Sequence, residues 1–106
     1  MNLPKTIKVG PYDYDVVHAK IDPEAERVGD FDSTLSRIRV TTDMNDIRTV
    51  ETLLHEIFHA IFYSYGIGNH LEEENIVGLM STGLAGVLRD NPDFAKRLIK
   101  TLVTDK

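Results

Sequence analysis

The spacing of apolar residues changes once along this chain of 106 residues, close to Asn45. Before that point apolar and polar side chains alternate, as in the stretch YDYDV. A period of two is typical of strands with one solvated face, whereas the later period of 3.6 is typical of amphipathic helices. The order predicts an α+β fold, with a small N-terminal antiparallel sheet followed by three helices.

Four short strands are predicted before Asn45. The stretches TIKV and YDYDVVHA flank Gly10-Pro11 and are expected to pair as a hairpin. A second pair, RVGDFD and SRIRVTT, is joined around residues 32–35, while the proline-containing residues 21–26 predict a loop or short turn. Arg37 and Arg39 fall on the polar side of the last strand, which predicts a solvated face for both.

The first predicted helix begins at Asn45 or Asp46 and ends at Gly66 and Gly68, because glycine commonly terminates helices. Apolar residues recur along it with the helical period, which predicts one buried stripe. The members of that stripe are Ile47, Val50, Leu54, Ile57, Ile61 and Tyr65.

Two further helices are predicted after the glycines. Asn69 and Glu72 are spaced as a capping box, so the second helix is expected to start there and run to about Arg89. Its predicted inward side chains are Ile76, Val77, Met80, Leu84, Val87 and Leu88. Asn91-Pro92 predicts the start of the third helix. Its apolar side chains at spacing four are Phe94, Leu98 and Leu102.

Composition bounds the partners of the chain. The net charge is −5, hydrophobic residues make up 42% of the sequence, and there are no cysteines. An acidic chain with scattered basic residues matches nucleic acid or an anionic membrane poorly. The N-terminus lacks the apolar core of a signal peptide, and no apolar run approaches the roughly 20 residues that span a bilayer. We expect one cytoplasmic domain over residues 1–106, in which any metal is held by His, Asp or Glu.

The stretch HEIFH, residues 55–59, carries the strongest functional pattern. His55 and His59 lie one helical turn apart, so both imidazoles project from the same side and can share one ion. Glu56 lies about 100° round the helix from His55, beside such an ion, where it can act as a general base. Since Leu53 and Ile57 flank the motif, we expect the histidines to be at least half buried.

A catalytic zinc ion takes three protein ligands and keeps one position open. The next histidine, His70, is eleven residues past His59, which leaves the glutamates after it as candidates for the third ligand. Glu72 fits the capping box, so Glu74 and Glu73 remain. Small residues lie one, two and three turns after Glu74. They favour Glu74 as the third ligand, since they let two helices approach closely. They are Gly78, Ser81 and Ala85.

HEIFH followed by a glutamate helix resembles the gluzincin class of zinc metallopeptidases. The stretch ENIVGLMSTGL is similar to the glutamate helix of thermolysin-type enzymes, and the layout resembles the small ImmA/IrrE-like and short phage-encoded metallopeptidases. The resemblance covers roughly residues 28–92. It implies a zincin-like core, in which the HExxH helix packs against an antiparallel glutamate helix. It also implies Zn²⁺ as cofactor and a protein or peptide as substrate.

The expected site is Zn²⁺ bound by His55, His59 and Glu74, with Glu56 moving the proton during hydrolysis. A strand over residues 36–40 is expected to align an extended peptide at the edge of the sheet. Three donors to the developing oxyanion remain open, namely His70, Tyr63 and Tyr65.

Two other functions remain open from the sequence. In the first, zinc only staples the helices of a non-catalytic binding or structural module. In the second, the metal site hydrolyses something other than a peptide. A structural zinc normally has four closed ligands, so three ligands and a neighbouring base favour the peptidase.

Overall fold

A computed structural model describes residues 2–67 and 71–104 of the chain. The elements are β1 (Thr6–Val9), β2 (Tyr12–His18), a 3₁₀ turn (Pro23–Ala25), β3 (Gly29–Asp32), β4 (Arg37–Val40), α1 (Asp46–Ser64), α2 (Glu73–Asp90) and α3 (Pro92–Thr104). This order confirms the α+β class, with four strands first and three helices after them.

The sheet has the strand order β1-β2-β4-β3. Both predicted hairpins form, because β1 pairs antiparallel with β2 and β3 pairs antiparallel with β4. The hairpins meet through β2 and β4, which pair in parallel with Asp15 opposite Arg37. The prediction of an antiparallel sheet is therefore wrong, and the sheet is mixed. The prediction of β4 as a substrate-aligning edge is also wrong, since the outer strands are β1 and β3.

The two faces of the sheet differ in chemistry. One face is buried under the helices and carries Ile7, Val9, Tyr14, Ile38 and Val40. The other face carries opposite charges on neighbouring strands, a pattern that stabilises sheets. There Asp30 accepts hydrogen bonds of 2.9 and 3.0 Å from Nε of Arg39, its cross-strand partner. Arg37 and Arg39 are both partly exposed on this face, as the alternation predicts.

Helix α1 packs across β1, β3 and β4. Its first turn is capped by Asn45, whose side chain accepts a hydrogen bond of 2.8 Å from the backbone N–H of Arg48. The buried face carries Val50, Leu53, Ile57, Ala60 and Ile61. The helix ends at Ser64, and Gly66 follows with a positive φ of 63°. The predicted start at Asn45 or Asp46 and the predicted end at Gly66 are thus confirmed to within two residues.

Helix α2 approaches α1 through a glycine. A Cβ built on Gly83 would lie 2.5 Å from Cγ2 of Ile61, so a larger residue would push the helices apart. Val77, predicted to face inward, is 51% exposed, because the buried face of α2 is centred on Gly83, Gly86 and Val87 instead.

The start of α2 differs from its prediction. Glu72 is the N-cap and makes no side-chain capping bond, so it is not the third residue of a capping box. The predicted cap, Asn69, lies outside the described residues, as does Gly68.

The junction of α2 and α3 is tied to the sheet by Asn91. Its side chain accepts a hydrogen bond of 3.1 Å from the N–H of Lys8 and donates one of 2.9 Å to the carbonyl of Lys8. Phe94 and Leu98 are buried, whereas Leu102, predicted on the same stripe, is 37% exposed. Across the described ranges, no helix combines the length and apolarity needed to cross a membrane.

Candidate metal centre

The two histidines of the HEIFH motif meet on the exposed side of α1. Their Nε2 atoms are 3.3 Å apart, and their ring centroids are separated by 4.9 Å. The expectation that His55 and His59 are at least half buried is wrong, since both are exposed. The flanking residues Leu53 and Ile57 pack on the opposite side of the helix, which leaves the imidazoles open to solvent.

The separation of the two Nε2 atoms fits a shared zinc ion. Zinc binds histidine nitrogen at about 2.0–2.1 Å in a tetrahedron with angles of about 109°, so two such nitrogens lie about 3.3–3.4 Å apart. The observed 3.3 Å matches that value. His55 and His59 therefore provide two ligand atoms at the spacing that a tetrahedral metal requires.

Glu56 lies between α1 and β3 and is only 5% exposed. A Cβ built on Gly29 would lie 3.1 Å from Oε2 of Glu56 and 2.8 Å from Cγ2 of Thr52. The absence of a side chain at Gly29 thus makes room for the carboxyl of Glu56 against the strand. Sequence reasoning missed Gly29, although a glycine inside a strand often marks a close approach.

Burial is the main influence on Glu56 and raises the pKa of its carboxyl above the usual value. The charges of His55 and His59 act in the opposite direction and lower that pKa. Asp30 adds to the rise and Arg27 opposes it. With the net shift upward, the carboxyl binds a proton more readily than an exposed glutamate, which suits a group that accepts and returns protons.

Two depressions adjoin along the line between β3 and α1, and together we name them the β3–α1 groove. The depression at the histidines has a volume of about 350 Å³, and the one toward the start of α1 about 550 Å³. Both are lined by Arg27, Gly29, His55 and Glu56. The candidate metal ligands and the candidate base therefore face one open groove.

The third predicted ligand is not brought to the histidines. Glu74 is exposed in the first turn of α2, nine residues before Gly83, which is about 14 Å along the helix from the contact with α1. Glu73 is exposed in the same turn. Within residues 2–67 and 71–104, no three His, Asp or Glu side chains are grouped closely enough to hold one ion.

Asp30 lines the groove beside the histidines together with Glu56. Its carboxylate is held by Arg39, which holds the pKa of Asp30 below its usual value. A carboxylate bound in this way is less available to a metal than a free one. Sequence reasoning did not consider Asp30, because only the pairing of β3 beside α1 brings it there.

The three candidate oxyanion donors have different positions. Tyr63 is 51% exposed, and its ring packs against Tyr12 and Phe31 at centroid distances of 5.6 and 6.1 Å. The hydroxyl of Tyr65 faces Gly86 of α2. His70 lies outside the described residues. Neither Tyr63 nor Tyr65 lines the groove at the histidines.

Comparison with protein-family models, with curated proteins and with solved structures finds no match to this chain. The resemblance in the HEIFH stretch and the glutamate helix is thus the basis for relating it to metallopeptidases.

Proposed function

We propose that this protein is a zinc-dependent metallopeptidase of the gluzincin type, which hydrolyses peptide bonds in a protein or peptide substrate. The observation that carries the proposal is the 3.3 Å separation of two exposed histidine Nε2 atoms next to the buried carboxyl of Glu56. The proposal includes a zincin-like arrangement, with α1 as the HExxH helix and α2 as the source of the third ligand.

The zinc ion would be held by His55, His59 and Glu74, with Glu73 as the alternative third ligand. When bound, zinc supplies Lewis-acid activation of water and of the substrate carbonyl. Metal binding is coupled to folding wherever ligands come together only with the ion. This ligand set requires the first turn of α2 to come closer to His59 than it lies in the structure.

Glu56 is the proposed general base. Its carboxyl lines the groove, and its raised pKa favours the accepting of a proton from the attacking water. The same group then returns that proton to the nitrogen of the leaving amine. Gly29 supports this role, because it lets the carboxyl lie against the strand rather than in bulk solvent.

The free edge of β3 is the proposed place for the substrate backbone. The carbonyl of Val28 accepts a hydrogen bond of 2.8 Å from the N–H of Thr41, so this pair points its backbone groups toward β4. In an antiparallel pair the direction alternates, so the backbone groups of Gly29 and Phe31 point away from β4. An extended peptide can pair with them as an added strand alongside the histidines.

The alternative is a non-catalytic module in which zinc serves as a staple. The grouping of only two ligands in the described residues favours it, because a staple can take its remaining ligands from another molecule. The position of Glu56 favours the enzyme instead, since a structural zinc ion does not require a buried carboxyl beside it, whereas a catalytic one requires a general base.

Replacement of Glu56 by Gln separates the two functions. In an enzyme, Glu56→Gln retains zinc and the fold but lowers kcat by about 10²- to 10⁴-fold, the usual contribution of a general base. The measurement is cleavage of a fluorogenic peptide library by zinc-loaded protein, with zinc content and the unfolding temperature as controls. A zinc-loaded wild-type protein that cleaves no member of the library contradicts the peptidase and favours the staple.

A further inference from the structure

The larger depression of the β3–α1 groove has two arginines in its lining, one on each side. Arg27 precedes β3, and Arg48 lies in the first turn of α1. The volume of about 550 Å³ is ample for an amino-acid side chain. This end of the groove begins at His55, so a peptide paired with β3 places a side chain or its terminus here.

Arg27 has hydrogen-bonding capacity to spare. Its side chain is 57% exposed, and its closest acidic atom is Oδ2 of Asp30 at 3.9 Å. That carboxylate is already bound by Arg39. The guanidinium of Arg27 therefore keeps most of its five donors free for a ligand.

Arg48 is fixed at its backbone and free at its side chain. Its N–H donates to Oδ1 of Asn45 and its carbonyl accepts from Oγ1 of Thr52, both at 2.8 Å. The side chain forms no ion pair with any described residue. Because the start of a helix carries a partial positive charge, this position adds to the attraction for an anion.

Besides the buried Glu56, two acidic residues, Glu26 and Glu51, also line the depression. Neither forms an ion pair with Arg27 or Arg48 in the described part of the chain. Glu26 and Glu51 line only the outer depression. At the histidines the acidic residues are Glu56, which is buried, and Asp30, whose carboxylate is bound by Arg39. The free hydrogen-bond donors of Arg27 are therefore the groups there that can receive a carboxylate. A planar guanidinium also binds a carboxylate through two parallel hydrogen bonds, which gives it an advantage over a single point charge.

We propose that Arg27, assisted by Arg48, binds a carboxylate of the substrate next to the scissile bond. The protein thus selects peptides with an acidic side chain or a free C-terminus at this position. The selection of a cleavage site depends on the proposed peptidase function, whereas the binding preference does not.

The test uses zinc-loaded Glu56→Gln as a host that does not cleave its ligands. The probes are fluorescent decapeptide pools, randomised except for one central position that holds Glu, Gln or Lys. Each pool is made with a free and with an amidated C-terminus, and Kd is measured by fluorescence anisotropy. We expect the Glu pool to bind at least about tenfold more tightly than the Gln pool, as charge-assisted bonds of about 1.5–3 kcal/mol allow.

Variants in the same host assign the preference to Arg27. Adding Arg27→Gln is expected to reduce the difference between the Glu and Gln pools to less than about twofold, and Arg27→Lys to leave part of it. Glu51→Gln is the matched control, since it removes a charge from the same depression and is expected to keep the preference. Thermal unfolding of each variant confirms that it remains folded.

Dependence on a free C-terminus in every pool, without a Glu preference, assigns the bound carboxylate to the peptide terminus. Equal binding of all pools, a preference for Lys, or no measurable binding overturns the proposal. Cleavage of the same pools by wild-type protein reports the function separately. Cleavage without a carboxylate preference supports the peptidase function and contradicts the carboxylate subsite. A carboxylate preference without cleavage supports the subsite and contradicts the peptidase function.

Discussion

The middle of α1 and the first turn of α2 carry the residues of one proposed site, yet they differ in how firmly the fold positions them. His55, Glu56 and His59 lie on a helix whose opposite side is packed against the sheet. Glu73 and Glu74 are exposed, and no side chain caps the helix that carries them. The packing of α1 therefore fixes the spacing of His55 and His59 without a metal, whereas the proposed third ligand requires a movement of the first turn of α2.

The largest effect is expected from loss of a histidine in the packed region. His59→Ala removes one of the two preformed ligands, so we expect zinc affinity to fall by more than about 100-fold. His18→Ala is the control, since His18 is also exposed but lies at the end of β2 outside the groove. The measurement is competition for zinc with a fluorescent chelator, and equal affinities of the two variants would contradict the assignment.

A smaller effect is expected from the exposed turn of α2. If Glu74 is drawn to the ion, Glu74→Ala lowers zinc affinity by about 10- to 100-fold, while Glu73→Ala leaves it nearly unchanged. The neighbouring glutamate is the matched control, because both substitutions remove one exposed carboxylate from the same turn. If Glu73→Ala lowers zinc affinity and Glu74→Ala does not, Glu73 is the third ligand. If neither substitution changes zinc affinity, this turn is not part of the metal site.

Most elements could be predicted from the sequence because their signals are local. The hairpin around Gly10-Pro11 and the Asn45 cap of α1 depend on residues close together in the chain. The parallel pairing of β2 with β4 could not be predicted, because it joins two hairpins and no local pattern records which strands meet. The wrong sheet type and the wrong substrate edge follow from that one long-range contact.

The site divides in the same way. The spacing of His55 and His59 predicts their proximity, but the apolar neighbours of the motif falsely indicated burial, since those neighbours lie on the opposite side of the helix. The roles of Gly29 and Arg27 depend on the approach of β3 to α1. That approach is a tertiary contact, so neither residue stands out in the sequence.

The smallest effect is expected on β3, at the ion pair between Asp30 and Arg39. Asp30→Asn is expected to lower the free energy of unfolding at pH 7 by about 1 kcal/mol, because Arg39 is 38% exposed and solvent screens the pair. Asp13→Asn, on the same solvated face, is the control. Urea unfolding gives both values.

The pH dependence of that pair has a definite sign. Because the pKa of Asp30 is lowered in the folded protein, its stabilisation is present above the unfolded pKa of about 3.9 and is lost as pH falls through the folded value. The wild-type and Asp30→Asn proteins should therefore converge in stability as pH falls below about 4. A difference that grows toward acid would show that the pair does not stabilise the folded strand edge.

The proposal that His55 and His59 share one zinc ion is tested most directly by X-ray absorption spectroscopy on the zinc-loaded protein. We predict one zinc per chain, coordinated by two imidazole nitrogens at about 2.0–2.1 Å with oxygen in the remaining positions. Loss of one imidazole is predicted for His59→Ala and none for His18→Ala. A spectrum with fewer than two imidazoles, or with coordination unchanged in His59→Ala, would contradict zinc binding by these two histidines.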